Sequence, residues 1–440
     1  MKKITITGIL FIVFGVLIDQ KLVAQLLTDD GQITSATFLA LIKWGRIFLC
    51  TLGALILLAG LTLGPVKTRQ ILIRLNLVVI SLLVSLVLAE VMIRVFMPTP
   101  YAVDEVDRLY QYHETLGHEL MPGKTGTSAV MFEFKNQVVV SSQGLRNPEI
   151  SRGKPNGFKR LAVLGDSFTA NSQVAQDDVF TEIMNRELNG GWQVINFGAD
   201  GYGTLQEYMV LEQKALAFDP DAVLLIFYLR NDFFDNKGID GEINHRPLAR
   251  LKLDDGFEVY NVPVPPPPQV EIETGERPWL LITDFHLYNI IRKLFVAKED
   301  ILVNYYPEVE YFKTVASEST NYDFELLKTI LSAAKKTCDQ RGLKFAVVFA
   351  PTILQVYEDQ YWEKVRTDKK LEGEYDLNLP SRRFAGICRE LNIPCLDLLP
   401  ILKSYADTGE ILYYQRHQHW NTQGNRRVAE ALTGFIQEVF

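Results

Sequence analysis

Leu161 to Leu164 form an uninterrupted apolar run that ends at Gly165-Asp166-Ser167, and a polar, helix-starting segment follows. A short run of this kind, bounded by glycine, reads as a strand buried on both faces, as in parallel sheets. The pattern recurs. Trp192–Phe197 runs into Gly198-Ala199-Asp200-Gly201-Tyr202-Gly203, and Ala222–Tyr228 exits into Arg230-Asn231-Asp232. Leu343–Phe349 ends at Ala350-Pro351, and Pro394–Leu398 is a short fifth strand. Helical patterns lie between: Phe180–Leu188, a helix capped by Thr204 and carrying Tyr208, Leu211 and Ala215, then Phe324–Gln340 and Ser381–Leu391. A last helix places Val428, Leu432, Phe435, Ile436 and Val439 on one face, with Asn421 as its N-cap. This alternation predicts a parallel doubly wound sheet. A serine just past such a strand stands at the carboxyl edge, where open α/β sheets place their ligands. The plain alternative is a Ser or Asp that caps the next helix.

Charge divides the chain. Residues 1–97 carry a net +5 against −8 for the whole, which leaves −13 for residues 98–440. So acidic a domain gives no footing for nucleic acid. The N-terminal part contains charge-free runs at Ile4–Ile18, Ile47–Gly64 and Leu75–Ala89, which extend with their flanks to spans near 4–27, 37–64 and 71–96. Each approaches the roughly 20 apolar residues that a membrane crossing needs. Lys2 and Lys3 precede the first span, and Lys67, Arg69 and Arg74 crowd the link between the second and third. Positive-inside placement then puts that link in the cytoplasm and everything beyond about residue 97 on the periplasmic or outer side. The alternative is a signal peptide, but Asp19-Gln20-Lys21-Leu22 offers no small-residue cleavage site.

Residues 98–158 form a connecting region. Met97-Pro98-Thr99-Pro100 ends the third helix, because proline cannot continue it. His113 and His118, five apart, do not share a helical face, so an exposed loop is the better reading than a metal site. Val130–Phe134 and Gln137–Ser141 suggest a hairpin across Lys135-Asn136, and Gly144-Leu145-Arg146 has turn character. Residues 236–320 interrupt the α/β alternation with Pro263, the run Pro265–Pro268 and the aromatic-rich stretch Trp279–Phe295, the marks of a lid, a substrate loop or a surface excursion. Four irregularly spaced cysteines read as small buried hydrophobes. No metal cluster or phosphate-cradling loop is evident, and no cofactor is expected.

Residues 159–440 resemble the SGNH hydrolases, the GDSL esterase/lipase superfamily. The blocks appear in order: Gly165-Asp166-Ser167-Phe168-Thr169, Asn196-Phe197-Gly198 with Gly201, Asn231-Asp232, and His419-Trp420-Asn421. Gly144-Leu145-Arg146 and the N-terminal helices are similar to a bacterial membrane-anchored, envelope-associated branch. The resemblance implies a flavodoxin-like three-layer domain with a five-stranded parallel sheet. It implies Ser167 as nucleophile, its N–H and that of Gly201 as oxyanion donors, the Asn231 amide as a third donor, and His419 as general base. Acyl transfer needs those roles: a nucleophile, a base to take its proton, and donors where the oxyanion develops.

Two positions depart from the family pattern. The acid usually found two or three residues before the histidine is replaced by Arg416 and His417, so either a Ser–His dyad operates or another acid, such as Asp407 or Glu410, approaches in space. Leu229 replaces a glycine two residues before Asn231 and is expected to narrow the substrate groove. The expected function is a serine esterase of the bacterial cytoplasmic membrane, its catalytic domain on the periplasmic side, acting on small O-acyl esters of an envelope or exported polysaccharide. The alternatives are an O-acyltransferase using the same site within envelope-polysaccharide machinery, and a non-catalytic glycan-binding subunit.

Overall fold

A computed structural model describes residues 2–19, 22–23, 36–62, 65–96, 105–130, 133–188, 191–238, 244–253, 256–267, 287, 290 and 308–440. The chain divides into two units, Met1–Tyr101 with Gly275–Ile301, and Ala102–Thr274 with Leu302–Phe440.

Among its described residues the first unit holds three helices, α1 (Lys2–Leu17), α2 (Ala36–Thr62) and α3 (Pro65–Phe96). Two of them contain stretches long and apolar enough to cross a membrane, Ile42–Thr62 and Asn76–Val95. The apolar part of α1 among the described residues, Thr5–Leu17, is only part of the first expected span near 4–27. The residues expected to lengthen the first span, from 24 to 27, lie outside the described residues, as do those from 97 to 100. Helices α1 and α2 pack tightly through small residues. A Cβ added at Gly53 would meet the Gly8 carbonyl oxygen at 2.7 Å, the close backbone approach that glycine allows between apolar helices.

The second unit is built on five parallel strands: β5 (Lys159–Leu164), β6 (Trp192–Asn196), β7 (Ala222–Tyr228), β10 (Lys344–Ala350) and β11 (Cys395–Asp397). Their spatial order is β11-β10-β7-β5-β6. Counting only these five strands, the order is 2-1-3-4-5, the flavodoxin-like doubly wound arrangement. The expected fold class is therefore present. All seven residues of β7 are buried, which explains its unbroken apolar sequence. Helices α4 (Ser167–Ala170), α5 (Phe180–Glu187), α6 (Thr204–Gln213), α7 (Asp232–Lys237), α8 (Glu318–Gln340), α9 (Leu379–Glu390) and α10 (Thr422–Val439) connect the strands and close the core. Asn421 caps α10, accepting from the Gly424 amide at 2.9 Å. At α6 the cap is Gly203, with Gln206 Oε1 accepting its amide, and Thr204 is the first helical residue.

Among the described residues, three two-stranded ribbons accompany the sheet. The first pairs β1 (Tyr110–His113) with β2 (Gly117–Leu120). His113 and His118 are thus in a hairpin and not an exposed loop, because apolar Leu116 is fully buried at its turn. The second pairs β3 (Thr125–Val130) with β4 (Phe134–Val139), so Lys135 and Asn136 lie inside a strand and the turn falls earlier than expected. Phe134 and Val138 are buried on the same face, and this two-residue period sets the register. The third ribbon, β8 (Leu248–Leu251) with β9 (Phe257–Tyr260), lies within the proline-rich insertion, where no strand was expected. Most of Trp279–Phe295 lies outside the described residues.

Candidate active site

Three strand ends converge. Strand β5 delivers Ser167, β7 delivers Asn231, and the loop after β6 delivers Gly201. Strands β5 and β7 are neighbours, and the chain order reverses between them. This switch point is where doubly wound sheets open a crevice at their carboxyl edge.

Asp166 ends the strand and caps α4, its Oδ1 accepting from the Phe168 amide at 2.8 Å. Ser167 is thereby held at the first position of a helix, and its Oγ lies 2.7 Å from Nε2 of His419. On the far side of the ring, Nδ1 of His419 lies 3.0 Å from the backbone carbonyl of His417. A carbonyl only accepts, so Nδ1 carries the hydrogen and Nε2 presents its lone pair to the serine hydroxyl. The phenyl ring of Phe168 stacks on His419 with centroids 4.6 Å apart. Burial, reinforced by His417 and Arg230, holds the His419 imidazole well below the usual histidine range, so the ring is a neutral base at neutral pH.

Asp407 and Glu410 do not take the place of the missing acid. Glu410 is paired with Arg427 at 2.7 Å and accepts from Gln423 at 2.9 Å. Among the described residues, the partners of His419 are Ser167 and the His417 carbonyl. A peptide carbonyl therefore sets the tautomer that an acid sets elsewhere.

Gly201 has φ +72°, a left-handed conformation that a Cβ would strain, and open space lies where that Cβ would point. Among the described residues, neither the Ser167 nor the Gly201 amide has a protein acceptor, so two backbone donors remain available for an oxyanion. Asn231 differs. Its amide donates to Asp235 Oδ2 at 3.1 Å and to the Tyr202 carbonyl at 3.2 Å, with Asp232 Oδ1 at 3.3 Å. In this conformation its N–H groups are committed to protein acceptors.

The loop that carries Gly201 is braced from outside the sheet. The Tyr110 hydroxyl accepts the Asp200 amide at 2.8 Å, and His118 Nε2 donates to the Asp200 carbonyl at 2.8 Å. Tyr202 returns a hydrogen bond to the His118 carbonyl at 2.6 Å. Arg246, from the insertion, pairs with Asp235 and donates to the Gly201 carbonyl at 3.1 Å. None of these partners was legible in the sequence, because each acts across the chain and none belongs to a local pattern. Asn196 joins two blocks, donating to the Thr169 carbonyl at 2.6 Å and accepting from the Gly198 amide at 2.9 Å. Leu229 is fully buried in the main core, so it does not narrow the groove as expected.

Beneath the site lies a group of buried carboxylates. Burial pushes Asp166 up to about 7 and raises Glu207 and Asp232 well above the carboxylate range, each disfavoured further by its acidic neighbours. The Asp232 carboxylate accepts the Tyr228 amide at 2.8 Å, which ties this group to the end of β7. The described residues contain no group of His, Cys, Asp and Glu arranged to hold a metal ion.

Fold and site together define a class, a doubly wound domain with a Ser–His pair at the carboxyl edge of its sheet. Residues 311–439 match the family model described as "SGNH hydrolase-like domain, acetyltransferase AlgX". The chain is similar to several solved structures. One is the acetyl xylan esterase AlAXEase, at 14% identity over 62% of this chain and 98% of that one, TM-score 0.34. A second is a catalytic mutant of Axe2, an acetylxylan esterase from Geobacillus stearothermophilus, at 12% identity over 63% and 94%, TM-score 0.34. A third is TesA, at 10% identity over 64% and 100%, TM-score 0.35. A comparison with curated proteins finds no match. The family match covers the C-terminal part of the chain that carries His419, and the segments with Ser167, Gly201 and Asn231 lie outside it.

Proposed function

We propose that this protein is a membrane-anchored, extracytoplasmic serine esterase that removes small acyl groups, acetyl above all, from an envelope or exported polysaccharide. The observation that carries the reading is the 2.7 Å contact between Ser167 Oγ and a His419 nitrogen whose tautomer is fixed from behind. In the first step His419 Nε2 takes the hydroxyl proton as Oγ attacks the ester carbonyl carbon. The Ser167 and Gly201 amides receive the negative charge on the carbonyl oxygen. Collapse breaks the bond to the sugar oxygen, which takes the proton from His419 and leaves as the alcohol. Water, deprotonated by the same histidine, then attacks the acyl-Ser167 ester and releases the acid. The membrane-length helices and the basic residues Lys67, Arg69 and Arg74 in the first turns of α3 support anchoring with the domain outside the cytoplasm.

A second reading has its own support. The matching family model is described as an acetyltransferase, and a sugar hydroxyl in place of water would complete transfer at the same serine. Product analysis separates the two. The full-length protein in detergent, given an acetylated oligosaccharide and an unacetylated acceptor, releases acetate in step with ester loss if it is an esterase. Acetylated acceptor as the main product would establish the transferase instead.

A further inference from the structure

Glu133 stands in the turn between β3 and β4, outside residues 159–440, where the family blocks lie. Its two carboxylate oxygens accept consecutive backbone amides of the histidine loop, Arg416 at 2.6 Å and His417 at 3.0 Å. Charge-assisted bonds from both oxygens fix two successive peptide planes. The next peptide plane in the chain carries the His417 carbonyl, which faces Nδ1 of His419. The loop is closed on its other side by the Gln418 amide, which donates to the Tyr414 carbonyl at 2.8 Å, and by the Tyr414 amide, which donates to the His419 carbonyl at 2.8 Å. Gln418 adopts φ +63°, and its side chain accepts from Arg230 at 2.8 Å. The neighbouring Phe134 packs edge-on against the His417 ring at 5.3 Å and against Tyr414 at 4.7 Å.

We propose that Glu133 is the positioning residue for the general base: an acid remote in sequence acts through the peptide backbone where relatives place an acid beside the histidine. Glu133 touches neither substrate nor the reacting atoms. It holds the carbonyl that holds the imidazole. The accessory hairpin is therefore part of the catalytic apparatus, and the domain cut at residue 159 lacks the support of its base.

This rests on the serine-enzyme reading, so the test carries one readout that needs no turnover. Full-length wild type, Glu133→Ala and Glu133→Gln are compared in detergent. The first readout is the reaction of Ser167 with a fluorophosphonate, resolved into its binding constant and its maximal rate. The second is carbethoxylation of His419 by diethyl pyrocarbonate, followed by peptide mass spectrometry. Glu133→Ala is expected to lower the maximal rate about ten- to a hundred-fold, the scale of a base displaced by a fraction of a turn. The binding constant and thermal midpoint stay near wild type. Glu133→Gln, which keeps one acceptor oxygen, recovers part of the rate. His419, released from its fixed pose, is carbethoxylated faster in Glu133→Ala. Wild-type maximal rate and unchanged His419 modification in Glu133→Ala would overturn the proposal. If wild type itself never reacts with the fluorophosphonate, the serine-enzyme reading fails. The positioning role is then decided by carbethoxylation alone, faster in Glu133→Ala supporting it and equal rates overturning it.

Discussion

The Nδ1 atom of His419 lies 3.0 Å from the backbone carbonyl of His417. This contact explains how His419 keeps a fixed orientation with Arg416 and His417 at the positions where the sequence resemblance places an acid. In a serine triad, replacing the acid by an amide costs about 10⁴ in rate largely because it stabilises the wrong tautomer. A carbonyl enforces the right one. It lacks the full charge that an acid offers to the imidazolium, so it orients the ring without that added electrostatic stabilisation.

His417 orients His419 through its peptide carbonyl, and its imidazole bears only on the proton affinity of that base. His417→Ala keeps the carbonyl, so kcat/KM towards a p-nitrophenyl ester is expected to stay within about threefold of wild type. Loss of a group that itself relays protons would lower the rate by about 10²–10⁴. Steady-state kinetics of the variant separate the two.

The pH profile follows from burial. Burial, with His417 and Arg230 nearby, lowers the affinity of His419 for a proton, so the base stays neutral until the pH falls below the ordinary histidine value of about 6.5. The acid limb of kcat/KM is therefore expected below that value. Arg230→Gln removes a cation that opposes the imidazolium and is expected to move the limb upward. An unmoved limb would show that Arg230 does not act on the base.

Asn231 has its amide directed to Asp235, Asp232 and the Tyr202 carbonyl, so its contribution to the oxyanion requires one of these bonds to yield in the transition state. Asn231→Ala is expected to lower kcat about 10²-fold, the lower end of the effect of a lost oxyanion donor, with KM nearly unchanged. Melting temperature falls as well, because Asp235 loses a buried donor. The two effects are read from kinetics and thermal unfolding of the same preparation.

Much of this site was legible because each strand announces its own end. Leu161–Leu164 stops at Gly165-Asp166-Ser167, and Ala222–Tyr228 agrees with β7 residue for residue. His419 precedes a helix whose cap, Asn421, behaves as its local chemistry predicts. What stayed hidden is long-range. Glu133 meets His417 across 284 positions, and Tyr110 meets Asp200 across 90. No local periodicity encodes such pairings. The β1–β2 hairpin escaped because its residues, Tyr-Gln-Tyr-His and Gly-His-Glu-Leu, are mostly polar and only half-buried, so they show no apolar alternation.

Glu308 offers a test of the buried charges. It is fully buried beside Arg230, and burial pushes its carboxyl up to about 7 from the ordinary glutamate value of 4.5. Between these values the unfolded chain releases its proton while the folded protein retains it, so folding loses stability as pH rises through this window. The loss is complete above about 7 and amounts to about 3 kcal/mol. Glu308→Gln removes this dependence. The stability of the variant relative to wild type is expected to grow from pH 4.5 to 7.5 by about that amount, measured by denaturant unfolding of the same detergent preparation. A constant difference across the range would contradict it.

The most direct measurement is covalent labelling of the full-length protein by a fluorescent fluorophosphonate, beside Ser167→Ala and His419→Ala. The predicted result is stoichiometric labelling of wild type at Ser167, abolished in Ser167→Ala and slowed about 10²–10⁴-fold in His419→Ala. Failure of the folded wild type to label, or labelling of Ser167 that persists unchanged without His419, would contradict an activated serine at this site.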